Sequence, residues 1–110
     1  MVVVRIVEDG RGRPSSFFAS GHAGWAESGE DIVCAAVSTV LQTAWLGLVE
    51  VAGVDVEGSK AGGRLDLSWP ETVRDDPGVA AIVMTAACAI ERLALQFPDH
   101  VGTNRECADG

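Results

Sequence analysis

Four short segments of the chain have the residue types or the alternation that are typical of β-strands. Val2–Glu8 is rich in β-branched residues, and Ser16–His22 follows it after a turn that contains glycine and proline, so the two predict a hairpin. Arg64–Trp69 alternates apolar and polar residues as a half-buried strand does, and Val54–Gly58 is a further short candidate. These segments predict one small sheet.

Two longer segments carry apolar residues at helical spacing. Asp31–Val51 is apolar at positions 33, 37, 40, 41, 44, 48 and 51, and Gly53 is a suitable residue to end the helix. Pro77–Phe97 begins after Asp76, a good capping residue, and ends before Pro98. This second helix is apolar almost all round, so it must be covered on more than one side.

The order of these elements predicts an α+β fold in which two helices pack on a small, mostly antiparallel β-sheet. The length of 110 residues fits a single domain, since domains cluster at roughly 100–150 residues. We expect residues 101–110, which are largely polar, to form a loose tail. Another helix or a second subunit could cover the part of the second helix that the sheet leaves bare, and its apolarity all round favours a homodimer.

The composition narrows the classes of partner. Hydrophobic residues make up 47% of the chain and aromatic residues only 5%, which indicates an aliphatic core. The formal net charge of −8 argues against binding nucleic acid, whose phosphates would be repelled. It suits a basic protein or peptide partner, although the charge by itself favours the simpler explanation that acidity keeps the protein soluble.

The cysteines indicate a reducing compartment. Cys34, Cys88 and Cys107 are odd in number and widely spaced, unlike a disulfide framework or a metal site. We therefore expect a cytoplasmic protein with no metal and no cofactor. Ile32–Val49 carries no charge and is just long enough to span a membrane, but polar residues occupy its middle, so we expect no membrane partner.

One stretch combines a histidine at the end of a predicted strand with a cysteine at the start of a predicted helix. If Asp31 caps that helix, Cys34 is its third residue, where the helix dipole favours a thiolate. His22 could then act as base towards the thiol and as acid towards a leaving amine. The plain alternative is a buried core cysteine and a histidine in a surface turn, and spacing alone does not decide between them.

The same stretch resembles the signature of the ribosomal-processing cysteine protease Prp family. That signature is Gly-His-Ala, a loop containing glycine, and then Gly-x-Asp-Ile-Val-Cys-Ala-Ala-Val-Ser. The chain matches it at Gly21–Ala23 and at Gly29–Ser38, with the intervening loop intact. The resemblance extends over most of the chain in the order of its elements, but its specific part is about eighteen residues long.

The resemblance implies a dimeric endopeptidase that removes an N-terminal extension from the basic ribosomal protein L twenty-seven. It makes His22 the general base and Cys34 the nucleophile. The other residues of the signature would support the site or bind substrate, and they are Gly21, Gly29, Asp31 and Ser38. From the residues alone, Asp31 is also a plain helix cap, and Ser38 is also a hydroxyl bonded to its own helix.

Two other functions compete with proteolysis. One is a non-catalytic acidic module, such as an assembly factor for a basic ribosomal protein, in which the cysteine and histidine are incidental. The other is a redox sensor that oxidises Cys34 reversibly, although no resolving cysteine lies close to it in the chain.

Overall fold

A computed structural model describes residues 1–21 and 30–108, and at the start of the first helix it describes the backbone but not the side chains of residues 30 and 31. These described residues form five strands and two long helices, with one short 3₁₀ turn at Glu71–Val73. In chain order the elements are β1 (Val2–Glu8), β2 (Pro14–Ser20), α1 (Glu30–Leu46, continued by a π-helical turn at Gly47–Val51), β3 (Glu57–Ala61), β4 (Arg64–Ser68), α2 (Pro77–Gln96) and β5 (Val101–Cys107).

The five strands make one sheet in the order β3-β4-β2-β1-β5. All neighbouring strands run antiparallel except β1 and β5, which run parallel. Alternate residues of the strands face the two helices and form the core with them, so the predicted α+β architecture is confirmed. Members of this core include Val4 and Ile6 of β1, Phe17 of β2, Leu65 and Leu67 of β4, Val37 and Leu41 of α1, and Val83 and Ile90 of α2.

The helix ends follow the chemistry that the sequence predicts. The Asp76 side chain accepts a hydrogen bond from the Val79 N–H at 3.0 Å and caps α2, with Pro77 as the first helical residue. After the π-helical turn, Gly53 adopts a positive φ of +67° and the Val54 N–H donates to the Leu48 carbonyl at 2.8 Å. A positive φ after the last turn is how many helices end, which is why glycine stands there.

The expectation of a loose tail at 101–110 is wrong, because residues 101–107 form β5. Its polar sequence belongs to an edge strand held by backbone pairing with β1 and by ion pairs at its surface. Arg5 of β1 pairs with Glu106 at 2.9 Å, and Arg105 pairs with Glu91 of α2 at 2.9 Å. Such pairings join residues that are distant in the chain, so the local sequence pattern does not predict them.

Other boundaries also differ from the predicted ones, most of them by one or two residues. The third strand is Glu57–Ala61, and the predicted start of that strand, Val54, is buried in the core ahead of it. The second strand ends at Ser20, two residues earlier than expected. The first helix begins at Glu30, so Asp31 is its second residue and does not cap it.

Both helices are long and apolar enough to cross a membrane by length and composition alone, over Ile32–Val51 and Pro77–Gln96. Core helices of soluble proteins meet the same criterion, and here both helices lie on one face of the sheet. However, only 33% and 28% of the two apolar stretches are buried. Much of the helix layer is therefore exposed, and most of its exposed residues are uncharged.

A charged network ties the β1–β2 turn to the segment between β4 and α2. The Asp9 carboxylate accepts hydrogen bonds from the backbone N–H groups of Arg11 and Arg13, at 2.9 and 3.1 Å, and from the Arg74 guanidinium at 3.1 Å. Arg74 also donates to the Trp69 carbonyl at 2.9 Å. Burial alone would raise the pKa of Asp9, but the hydrogen bonds and the positive charges outweigh it and lower this pKa to about 2.

This network predicts a specific loss of stability in acid. Because the pKa of Asp9 in the folded protein lies below its ordinary value of 3.8, the ionised carboxylate favours folding. Its contribution is complete above about pH 4 and disappears as the pH falls through about 2. Urea unfolding of wild type and Asp9→Asn should give a difference in unfolding free energy at pH 5.5 that shrinks towards pH 2.5. A difference that stays constant over this range would contradict the assignment.

Candidate active site

The strand that leads to the predicted histidine ends at a backbone position that only glycine fits. Gly21 follows β2 with a φ of +104°, and a Cβ atom added to it would overlap the Met1 carbonyl oxygen. The end of β2 therefore lies directly against the start of β1. His22 is the next residue in the chain, but it lies outside the described residues, as do Gly29 and the side chain of Asp31.

The predicted nucleophile lies on α1. Cys34 is 3% exposed and belongs to the buried cluster between the helices and the sheet. Since the helix begins at Glu30, Cys34 is its fifth residue rather than its third. The N–H of the fifth residue of an α-helix bonds to the carbonyl of the first, so the unbonded N–H groups of this helix precede Cys34. The helix dipole therefore acts on the thiol from two residues, about half a turn, farther away than the sequence predicts.

The hydroxyl of Ser38 lies one helical turn beyond the thiol, on the same side of α1. Ser38 is half-buried, and its oxygen accepts a hydrogen bond from the Gln42 side-chain amide at 2.7 Å. It also lines a cavity of about 260 Å³ between α1 and the tip of the β3–β4 hairpin. Ser38 thus has a bonding partner within its own helix and borders an open cleft.

The tip of the β3–β4 hairpin is the part of this cleft that the sequence analysis missed. Gly62 and Gly63 form a two-residue turn with φ values of +59° and +76°, and Lys60 and Arg64 flank it in the cavity wall. β2 pairs with β4 so that Ala19 lies opposite Leu65, which places the tip next to the end of β2. The two adjacent glycines between strand candidates were the available signal for this hairpin.

The structure therefore brings together three parts of the chain at one end of the sheet, two of which the sequence predicts. They are the end of β2 with Gly21, the first turns of α1 with Cys34 and Ser38, and the turn between β3 and β4. Among the described residues, no group of three or more histidine, cysteine, aspartate or glutamate side chains could hold a metal ion. These features define a class, a small α+β protein with a buried helical thiol one turn from a residue that lines a cleft at the end of its sheet.

Comparison with known proteins identifies the family to which the chain belongs. Residues 1–102 match the family model described as cysteine protease Prp. The chain belongs to this family and is a cysteine protease. No curated protein sequence matches it closely enough to add a more detailed relative.

Solved structures share the fold over almost the whole chain. SMU.848 from Streptococcus mutans is 27% identical, with a TM-score of 0.86 over 98% of this chain and 96% of its own. The essential ribosomal processing protease Prp from S. aureus, in complex with a substrate peptide, is 21% identical, with a TM-score of 0.85 over 96% and 99% of the two chains. The same protease with a covalently linked product peptide gives 21% and 0.82 over the same shares.

Proposed function

We propose that this protease removes the N-terminal extension of ribosomal protein L twenty-seven, with Cys34 as nucleophile and His22 as general base. The membership of residues 1–102 in the family carries the proposal, since this range contains both residues. The S. aureus relative, called a ribosomal processing protease, supports the kind of substrate. The reaction belongs in the cytoplasm, where cysteines remain reduced and newly made ribosomal proteins are available.

The proposed chemistry is acyl transfer through a thioester. His22 removes the proton from the Cys34 thiol as the sulfur attacks the scissile carbonyl, and a C–S bond forms. The C–N bond then breaks, and the imidazolium returns the proton to the leaving amine. A water molecule, deprotonated by His22, attacks the thioester and releases the new carboxylate, which restores the thiol. The S. aureus relative with a covalently linked product peptide is consistent with a covalent intermediate.

The other residues of the signature act around this pair. Gly21 lets the chain turn away from β2 at a positive φ, immediately before the base. Ser38 borders the cleft one turn after the nucleophile and offers a hydroxyl to the substrate. We assign Gly29 and Asp31 supporting roles from the signature alone.

The negative charge of the chain and the burial of Cys34 both fit a basic substrate that stays bound during cleavage. The chain has a net charge of −8, and ribosomal proteins are basic because they bind RNA. Opposite charges of this kind accelerate the encounter, and mutual repulsion keeps nucleic acid away. The thiol is 3% exposed, which limits its reaction with other electrophiles.

The test is incubation of the purified protein with an L twenty-seven precursor that carries an N-terminal extension. We expect cleavage at a single site, seen by intact mass as two products whose masses add to the precursor plus one water. Tight binding of the precursor without cleavage would instead support the non-catalytic acidic module. Reversible oxidation of Cys34 by peroxide, again without cleavage, would support the redox sensor.

We also propose that the enzyme works as a homodimer formed through the outer face of its two helices. A groove of about 530 Å³ runs between α1 and α2, and each of its lining residues is uncharged. The two helices approach closely beneath it, because a Cβ atom at Gly47 would lie 3.3 Å from Ile82. Met84 stands beside the groove with 55% of its surface exposed. A second copy of this face would cover apolar surface that water otherwise contacts.

A charge placed on this face should separate the subunits. We expect wild type to sediment at twice the chain mass of 11.5 kDa, and Met84→Glu to sediment as a single chain at micromolar concentration. Gln96→Glu is the matched control, because it adds the same charge to an exposed position near the end of α2. A Met84→Glu protein that remains dimeric, or a wild type that is monomeric, would contradict the proposal.

A further inference from the structure

Among residues 1–21 and 30–108, no strand pairs with the outer edge of β3. β3 is the last strand of the sheet on that side, and all five of its residues are exposed. Within the described residues, no backbone hydrogen bond outside the sheet involves this strand. A strand edge of this kind presents unpaired N–H and C=O groups, to which another extended chain can bind.

The register shows which groups point outward. The two-residue turn makes Ala61 and Arg64 the hydrogen-bonded pair that closes the hairpin. Hydrogen-bonded and non-hydrogen-bonded pairs alternate along an antiparallel ladder, so Lys60 opposite Leu65 is a non-hydrogen-bonded pair. The backbone N–H and C=O of Lys60 therefore face the open edge, and those of Gly58, two residues earlier, do so as well.

These outward groups lie alongside the helix that carries the nucleophile. Lys60 shares the wall of the 260 Å³ cavity with Ser38, one turn from Cys34. Gly58 lies against the ring of Trp45, so closely that an added Cβ atom would overlap it. The edge thus runs beside α1 from Trp45 towards Ser38, in the direction of the thiol.

Hollows that suit the side chains of a bound peptide lie beside this edge. Trp45, Leu46 and Val49 line a second hollow of about 270 Å³ on α1 together with Gln42 and Glu50, so that it offers an apolar wall and one carboxylate to a side chain. The charge changes sign along the edge, because Lys60 and Arg64 lie at the hairpin tip and Glu57 lies at the other end. A peptide whose basic residues lie away from the cleft would match the acidic end.

We propose that the substrate peptide binds in extended form as a sixth strand on the outer edge of β3, paired with the backbone groups of Gly58 and Lys60. This inference deepens the proposed function and rests on it. Pairing with an existing strand fixes the peptide backbone independently of its side chains. It would hold the scissile bond in line with the thiol, and the two hollows would select among sequences.

Proline at position 60 tests the pairing directly. Lys60→Pro removes an outward N–H group and leaves the ladder to β4 intact, because the residue is in a non-hydrogen-bonded pair. Lys60→Ala is the matched control, since it removes the charge and keeps the N–H. With a synthetic peptide that spans the L twenty-seven cleavage site, we expect kcat/KM for Lys60→Pro to be about 10-fold or more below that for Lys60→Ala. Equal values for two folded variants would overturn the proposal.

Backbone-modified peptides test the same contact without altering the protein. Single N-methyl groups, placed one at a time at least three residues from the scissile bond, should reduce kcat/KM about 10-fold at every second position on one side of that bond. The positions between them should tolerate the group. Uniform tolerance, or uniform loss, would overturn edge pairing even if Lys60→Pro failed to fold. Failure of wild type to cleave the unmodified peptide would instead refute the proposed function.

Discussion

Replacement of Cys34 by alanine should abolish cleavage of the L twenty-seven precursor, with a fall in kcat/KM of at least about 10³-fold. The reason is that no thioester can form without the sulfur, so the reaction loses its covalent route and not merely some binding energy. The measurement is intact mass of the precursor over time at equal concentrations of wild type and variant. We expect precursor binding to survive, because the substitution removes one atom from a buried position.

Two control variants separate chemistry from folding in this experiment. Cys34→Ser nearly preserves the volume of a side chain that is 3% exposed, and it should be as inactive as alanine because its hydroxyl ionises far less readily. Cys88→Ala removes an exposed thiol on α2 and should keep full activity. Both Cys34 variants should unfold within a few degrees of wild type. Cleavage by a folded Cys34→Ala protein would refute the assignment of the nucleophile.

The role of His22 is tested by the reactivity of the thiol. Modification of Cys34 by iodoacetamide near pH 7 should be slower by about 10-fold or more in His22→Ala, because the imidazole no longer favours the thiolate. The difference in modification rate between wild type and His22→Ala should become smaller above about pH 8.5, where an ordinary thiol ionises without a base. Peptide mass mapping distinguishes Cys34 from Cys88 and Cys107. Equal rates at pH 7 would mean that the two residues do not act as a pair.

The elements that the sequence predicts well are those whose signals are local. The second helix is bounded by Asp76 and Pro98, and the cap found in the structure is the one that its residues favour. β1 and β4 are recognisable because their buried and exposed positions alternate, or because their residues are β-branched. The positions of Cys34 and Ser38 on the first helix follow from the helical spacing of the apolar residues around them.

The parts that the sequence analysis missed depend on contacts between distant residues. β5 is polar because it lies at the edge, and its pairing with β1 links Val2 to Val101. β3 has no buried residue, so it shows no alternation, and only its neighbour β4 makes it a strand. The cleft forms because β2, α1 and the hairpin tip meet at one end of the sheet. The spacing of apolar residues along the chain does not show which elements will contact one another in the fold.

The glycine at the end of β2 should be the most sensitive small residue of the fold. Gly21→Ala must satisfy a φ of +104°, which L side chains rarely adopt, and its Cβ atom would overlap the Met1 carbonyl oxygen. Held in place, such backbone strain costs about 1–3 kcal/mol. Relief requires β2 or β1 to shift, and either movement would displace the residue that precedes His22, the proposed general base. We therefore expect a loss of both stability and activity.

Substitutions at two other glycines separate the effect of the positive φ from that of the steric overlap with Met1. Gly53→Ala meets a positive φ of +67° with no atom within 4 Å of the added Cβ, and Gly10→Ala meets open space without a positive φ. Thermal unfolding should show little change for Gly10→Ala, an intermediate loss for Gly53→Ala, and a fall on the order of 10 °C for Gly21→Ala. Cleavage of the precursor should fall only in Gly21→Ala, since only this residue adjoins His22. If Gly21→Ala proved no more costly than Gly53→Ala, the close approach to Met1 would not constrain the site.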